Sequence, residues 1–432
     1  MAKNTNQLRQ YIILSKKLGS VFLFICLFSQ PTFTFAEFRA GIGVRIVTPD
    51  PLLPVSGGVG PSKNVTRKKG DLTVRAMVLE DGNKRVAFVS TDFLGFPAVL
   101  GDRVRSQVKS IISPEHILIG ATHTHSAPDS YGFPNNTGGT DANLEYLDLV
   151  CKKTAEAIKD AFTHLRPASL KVATGNAKGK IAYNYYAPDL YDRRCSVMQA
   201  IDHTGKPFIT LVNYAIHPEV LGSNQGILSP DLVGPLYDRI LSKGGGIGIF
   251  MNGAQGGMVT ADVRGADGKD IQNWSECRRI GYLLADEALR ITNKTSEEQK
   301  NPKITCTWKN VTLPVDSPLL LNIMKDSPLQ LAKPNEKSIT TRVNLVNVGY
   351  TQILTIPGEA LPNIGFYLKR KMTGKHNLLF GLTNDALGYI LTKEDWNSFE
   401  RYNYITQTSL GESTADIYLE KAIQLINEAK KR

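Results

Sequence analysis

Short apolar runs of strand character alternate with amphipathic stretches along nearly the whole chain, and this alternation narrows the possible folds more than any other feature. Residues 39–47 alternate loosely and end at Thr48-Pro49-Asp50, a strand running into a turn. Residues 71–80 and 85–91 are β-rich runs either side of Asp81-Gly82-Asn83-Lys84, the spacing of a hairpin. Helical spacing follows over 100–112, a short apolar strand over 116–121 and an amphipathic helix over 144–165. Residues 169–173, 197–202 and 208–215 then read as strands, 233–241 as a helix, 247–252 as a buried strand and 277–292 as a helix. Strands over 304–315, 342–348, 351–357 and 377–382 follow, with helices over 361–371 and 417–431. Stretches 54–70 and 129–140, rich in Gly and Pro, read as loops. This order predicts a layered α/β architecture of mixed β-sheets with flanking helices. No repeat or linker divides residues 37–432, which read as one catalytic unit, and 432 residues suffice for a large core.

The first 36 residues follow another pattern. Lys3, Arg9, Lys16 and Lys17 precede a twelve-residue apolar run over 18–29, and Thr34-Phe35-Ala36 closes the segment. Basic, apolar, then small is the order of a secretory signal peptide cut after Ala36. The apolar run falls short of the roughly 20 residues that span a bilayer, which favours a cleaved signal over an anchor. The expected location is therefore outside the cytoplasm: periplasmic, extracellular or at the cell surface. No later segment is apolar and long enough for a transmembrane span. The chain carries 51 Lys and Arg against 40 Asp and Glu; loss of the signal removes four cations and no acid, leaving 47 against 40. These charges are scattered, with no basic helix or aromatic-interleaved stripe for nucleic acid. They allow at most weak contact with a membrane surface. Cys151, Cys195, Cys277 and Cys306 remain, with no C-x-x-C pair for a zinc ribbon. An oxidising compartment permits disulfides, and free buried thiols fit as well.

Four places could carry chemistry. In Gly120-Ala121-Thr122-His123-Thr124-His125-Ser126 a strand ends and two histidines follow at i and i+2. Open-sheet ligand sites lie at such strand ends, and imidazole is the commonest zinc ligand. Both histidines could bind metal, or one metal and one substrate; two polar loop histidines without function are the bland alternative. In Asn213-Tyr214-Ala215-Ile216-His217-Pro218 another strand delivers a histidine. In Ile356-Pro357-Gly358-Glu359 a turn delivers a carboxylate, either a helix-dipole partner or the anionic ligand that a two-histidine zinc site needs. Finally, Asn252-Gly253-Ala254-Gln255-Gly256-Gly257-Met258-Val259-Thr260-Ala261-Asp262 follows a buried strand, and its backbone N–H groups could steady an oxyanion. Thr260 and Asp262 are the reactive side chains of that loop. It lacks the Lys-Ser/Thr ending of a phosphate-binding loop.

In this order the four pieces resemble the catalytic domain of the neutral/alkaline non-lysosomal ceramidases, from Ala40 to about Tyr404. The resemblance is strongest over 120–128, 213–234, 357–359 and 384–396. It implies one zinc ion per chain, held by His123, His217, Glu359 and Tyr389. It leaves His125 facing the substrate amide as a catalytic residue, with Thr260 and Asp262 beside it. Tyr402, with a one-residue slip in spacing, matches a second substrate-facing tyrosine, and Asn184 and Gly257 keep substrate-facing places. The implied activity is hydrolysis of an amide bond, ceramide yielding a sphingoid base and a fatty acid. Three departures stand out. The family's Gly-Asp-Val-Ser is here Gly257-Met258-Val259-Thr260, so an acid is lost unless Asp262 replaces it. Its Asn-Arg-Arg is here Asn184-Tyr185-Tyr186, so an arginine is lost unless Arg193 or Arg194 reaches in. The immunoglobulin-like C-terminal domain of the larger members has no counterpart here. These departures keep two alternatives open: a zinc hydrolase of the same fold acting on a different small amide or ester, and a non-catalytic exported binding protein.

Overall fold

A computed structural model describes residues 37–295, 297–332 and 336–430. The expected signal peptide, 1–36, lies outside the described residues, and Glu37–Arg432 forms one compact unit. Its mixed sheets and flanking helices are the layered α/β arrangement that the sequence predicts.

Three sheets carry the fold. The first has the order Ile117–Ala121, Lys84–Thr91, Thr73–Asp81, Arg39–Ile46, Arg166–Pro167. The second runs Ile247–Asn252, Pro207–Tyr214, Arg194–Ile201, Ser169–Asn176, Glu297–Gln299. The third runs Ile304–Pro314, Ser338–Val348, Thr351–Thr355, His376–Phe380. Each sheet is antiparallel except at one edge. There Ile117–Ala121, Ile247–Asn252 and His376–Phe380 each lie parallel to their neighbour.

Side-chain alternation explains why these strands are apolar on both faces. One face of every sheet feeds a shared central core: Phe88 and Met77 from the first, Leu211 and Ile249 from the second, Ile353 and Phe380 from the third. The Phe88 and Phe380 rings meet edge to face at 5.4 Å. The opposite faces are covered by helices. Ala98–Ser106 and Leu144–Thr163 pack on the first sheet, Val233–Ser242 and Trp274–Thr295 on the second. Pro318–Asp326, Pro362–Lys371 and Thr414–Ala429 pack on the third. A strand buried on both faces reads as a continuous apolar run, and fully burying each large side chain contributes about 1.5–3 kcal/mol.

The helix expected over 100–112 stops at Ser106 and continues as turns. Asn143 starts the long helix as expected of an N-cap, its side chain accepting from the Tyr146 N–H. The helix Pro318–Asp326, capped by Ser317, has no counterpart in the sequence reading. All four described cysteines are free thiols. Burial pushes Cys151 and Cys195 up to about 12, so they act as packing groups rather than nucleophiles. No helix among the described residues is long and apolar enough to cross a membrane.

The three parallel edge strands meet at their C-terminal ends. The Ala121 N–H donates to Leu382 O, just beyond His376–Phe380, and the Gly381 N–H donates to Asn252 O at the end of Ile247–Asn252. Every loop with candidate chemistry leaves from this junction or from the strand beside it.

Candidate metal centre

The first histidine loop leaves Ile117–Ala121. The Thr122 N–H donates to Thr91 O and the His123 N–H to Phe93 O, both at 2.9 Å. His123 adopts φ 75°, a conformation rare outside glycine. The second loop leaves Pro207–Tyr214, and the His217 N–H donates to Val259 O at 2.8 Å. Asn252 ties the two loops together. Its Nδ2 donates to Thr122 O at 3.0 Å and to Ile216 O at 2.8 Å, and its Oδ1 accepts from the Ile216 and Gly253 N–H groups. One fully buried amide therefore fixes the residue preceding each histidine.

Glu359 arrives after Thr351–Thr355, in a short parallel pair that sets Glu359 opposite Tyr389. The glycine-rich loop packs onto this pair, the Gly256 N–H donating to Ala360 O at 2.9 Å. A Cβ at Gly256 would lie 2.1 Å from Glu359 O, so only glycine allows this approach. The glycines thus serve the seating of Glu359 as well as exposing backbone N–H groups.

The side chains converge. His123 Nε2 lies 3.4 Å and His217 Nε2 3.1 Å from the same oxygen, Glu359 Oε2. Each Nδ1 faces a backbone carbonyl, Leu94 O at 2.5 Å for His123 and Val259 O at 3.0 Å for His217. A carbonyl only accepts, so both Nδ1 atoms carry a proton, and each Nε2, free of any proton of its own, presents a lone pair to an incoming cation. Two lone pairs and a carboxylate directed at one point are a donor set for a cation, and two histidines with a carboxylate fit zinc. The electrostatics agree. Burial alone would raise Glu359, but His123 and His217 outweigh it and hold the carboxyl well below the usual range. Burial is the largest single influence on His217 and would lower it, but the hydrogen bond to Glu359, the charges of Glu219 and Glu359 and the bond to Val259 together outweigh it and push it up to about 9.

His125 completes a group of three histidines with ligand atoms within 4.8 Å of one another. Burial pushes it down to about 4, so it is neutral near pH 7. Its Nε2 is buried without a hydrogen-bond partner, a costly state for a group with no ligand to meet. His123, His125, Glu359 and Tyr389 line a cavity of about 940 Å³, counting its open mouth. Leu94, Phe133, Leu320, Ile323, Met324 and Leu387 form its apolar wall.

The remaining candidates divide. Tyr389 lines the cavity, and its hydroxyl donates to Met258 Sδ at 3.1 Å. Thr260 sits beside His217 in a parallel bridge, and its hydroxyl bonds to Glu219. Gly257 takes φ 66° and packs against Leu361. Asp262 is not brought into the group: Arg264 grips both its oxygens at 2.9 Å, and Lys180 lies 3.7 Å away. Asn184 braces its own loop, accepting from the Tyr186 and Ala187 N–H groups and donating to Leu190 O. Arg193 and Arg194 do not reach in; they pair with Asp189 and Asp192. Tyr402 packs in an apolar cluster with Tyr186, Leu361 and Ile405, and Tyr404, two residues on, lines the cavity instead.

Sequence reasoning missed three residues. Glu219, two residues after His217, brings Oε2 to 3.8 Å from His125 Nδ1. Burial works to raise it, but His217, His125, Thr260 and His123 hold it below the usual range. Its signal was present in His217-Pro218-Glu219, a carboxylate beside a ligand candidate. Tyr404 was hidden by the slip in spacing. Asn252 ends an apolar run, and no local pattern reveals what its amide holds.

No family model matches the sequence. Two curated relatives do: neutral ceramidase B of Dictyostelium discoideum, 25% identical over 178 residues, and neutral ceramidase A of the same organism, 24% identical over 178 residues. Each match covers 36% of this chain and 25% of the relative, so the chain spans about a quarter of the length of the curated relatives it matches. A solved structure of neutral ceramidase from Pseudomonas aeruginosa superposes with TM-score 0.74 at 16% identity, over 92% of this chain and 75% of that one. A ceramidase complexed with C2 gives TM-score 0.74 at 16% identity, over 92% of this chain and 76% of that one. The sequence matches and the superposition agree: the chain has the neutral ceramidase fold and is related to that family.

Proposed function

We propose that the chain is an exported zinc-dependent hydrolase that cleaves the amide bond of a lipid such as ceramide. The observation that carries this reading is the convergence of His123 Nε2 and His217 Nε2 on Glu359 Oε2, with His123 and Glu359 lining a largely apolar cavity. The names of the relatives and of the superposed structures support the same reaction class. Bound at this point, zinc would bring the pKa of a water toward about 7 and polarise the amide carbonyl.

The chain's own residues do the rest. His123, His217 and Glu359 would hold the ion, with Tyr389 as the fourth candidate ligand. The two Nδ1–H···O=C bonds keep the imidazoles in the binding tautomer. The apolar wall takes a hydrocarbon chain and excludes water, which strengthens electrostatic contacts at the centre. Neutral His125, its Nε2 free, can hydrogen-bond the amide or its oxyanion. Export would follow removal of residues 1–36, and any membrane contact would be a weak surface attraction.

The test is release of labelled fatty acid from ceramide by the purified, zinc-loaded chain. Release that stops on chelation, returns with zinc and is lost in His217→Ala is the expected result. A chain with full zinc that releases no fatty acid rules out the ceramide reading. One observation favours a second substrate class on the same centre: the non-ionisable sulfur of Met258, 3.1 Å from the Tyr389 hydroxyl. On that reading a short-chain amide or ester turns over in preference to ceramide.

A further inference from the structure

We propose that Glu219 is a substrate-contacting residue, its carboxylate accepting a hydrogen bond from the N–H or O–H of an amide-type ligand bound at the metal centre. The inference rests on reading the centre as a zinc site, not on ceramide as the substrate.

The surrounding carboxylates single it out. Asp262 is occupied by Arg264 and Lys180. Asp231 accepts from the Leu221 and Leu232 N–H groups, Asp129 from those of Tyr131, Gly132 and Phe133. Asp385 accepts from the Ala98 and Ala386 N–H groups, and Glu359 meets the two histidines. Each of these is committed to holding structure or metal. Glu219 pairs with no lysine or arginine among the described residues. Its partners are the Thr260 hydroxyl and, at 3.8 Å, His125 Nδ1. A carboxylate offers about four lone-pair sites, so acceptor capacity remains. The side chain is 21% exposed, enough for a ligand to reach it.

Its position is held from both sides. The His125 N–H donates to Pro218 O at 3.1 Å, locking the Glu219 turn to the first histidine loop. The bridge between His217 and Thr260 locks it to the glycine-rich loop. His125, whose ring lines the cavity, is therefore flanked by Glu219 at Nδ1. Met258, 3.1 Å from the Tyr389 hydroxyl, presents only a thioether, a weak acceptor.

A hydroxamate carries an adjacent N–H and O–H and binds zinc without being cleaved, so octanohydroxamate reads the contact independently of turnover. Its affinity for the zinc-loaded full chain is measured by calorimetry, with zinc content determined in parallel. Glu219→Gln keeps its zinc and melting temperature and binds the probe at least about tenfold more weakly, the lower end for a hydrogen bond to a charged group. Glu219→Asp, which keeps the charge on a shorter arm, falls between the two and serves if the glutamine variant does not fold. Affinity within about twofold of the wild type in whichever variant folds overturns the proposal. Loss of zinc from Glu219→Gln also overturns it, because Glu219 would then support the metal. So does failure of the zinc-loaded wild type to bind the probe. A positive contrast with no ceramide cleavage leaves Glu219's role standing and removes only the lipid substrate.

Discussion

The two sides of the centre are built by different rules. On the metal side, His123, His217 and Glu359 follow ends of buried strands, and both histidines have a backbone partner at Nδ1. On the substrate side, Met258 and Glu219 sit on loops, Tyr404 sits on the five-residue helix Asn403–Gln407, and His125 Nε2 lacks a partner. The metal side gains its precision from three sheets sharing one core, because a side chain at a strand end inherits the rigidity of the sheet. The substrate side lacks that anchorage, and it is where Met258 departs from the motif that the sequence resembles. Both sides hold a strained residue: His123 and Met258 take positive φ without being glycine.

The largest expected effect breaks the metal side outright. His217→Ala removes a proposed ligand and leaves Glu359 buried with His123 alone beside it. Zinc affinity should fall by more than the about 10–100-fold that loss of a supporting hydrogen bond costs a metal site. Competition with a chromophoric chelator measures it, and a loss below tenfold would mean that His217 is not a ligand.

Asn252 tests whether the metal side depends on the strand junction rather than on its ligands alone. Asn252→Asp keeps an acceptor for the Ile216 and Gly253 N–H groups and loses both donors to the histidine loops. Zinc affinity is expected to fall about 10–100-fold while the chain stays folded. Unchanged affinity, with an altered melting temperature, would reduce Asn252 to a packing role.

Protons sharpen the comparison because the two sides titrate in opposite senses in the metal-free protein. His217 is raised to about 9, above the unfolded value near 6.5. Its stabilisation is present in full below about 6.5 and is lost as pH rises through 9. His125 is lowered to about 4, so its contribution is present above about 6.5 and is lost as pH falls toward 4. The melting temperature of the chelated protein should therefore decline on both flanks of pH 6.5. Zinc displaces the His217 proton and should abolish the alkaline decline. An alkaline decline that survives zinc loading would contradict the assignment.

The smallest effect is expected at Asp262. Its ion pair with Arg264 is partly exposed and stands apart from the centre. Asp262→Asn should leave turnover within about twofold and stability within about 1 kcal/mol. A tenfold loss of turnover would return it to the substrate side.

How far the sequence reveals this arrangement follows the same division. A strand buried on both faces announces itself as an apolar run, so 207–214 and 247–252 are legible, and with them the histidine at one end and the glycine-rich loop at the other. His123, His217 and Glu359 are far apart in the chain, and motif order rather than spacing is what joins them. The sequence is silent where one side chain satisfies distant backbone. Asn252 bonds to Thr122 across 130 positions, which no local pattern encodes. It misleads where a reactive residue is neutralised by a neighbour, as Arg264 does to Asp262 two positions away. It also slips at the short helical turns Glu400–Tyr402 and Asn403–Gln407, which set Tyr402 in a cluster and Tyr404 in the cavity.

The most direct test of the central claim, one zinc ion held by His123, His217 and Glu359, is elemental analysis of the purified chain and of two ligand variants. The wild type should carry about one equivalent of zinc, and His123→Ala and Glu359→Gln less than about a tenth each. Less than about a tenth of an equivalent in the wild type, or full zinc retained by His123→Ala, would contradict it.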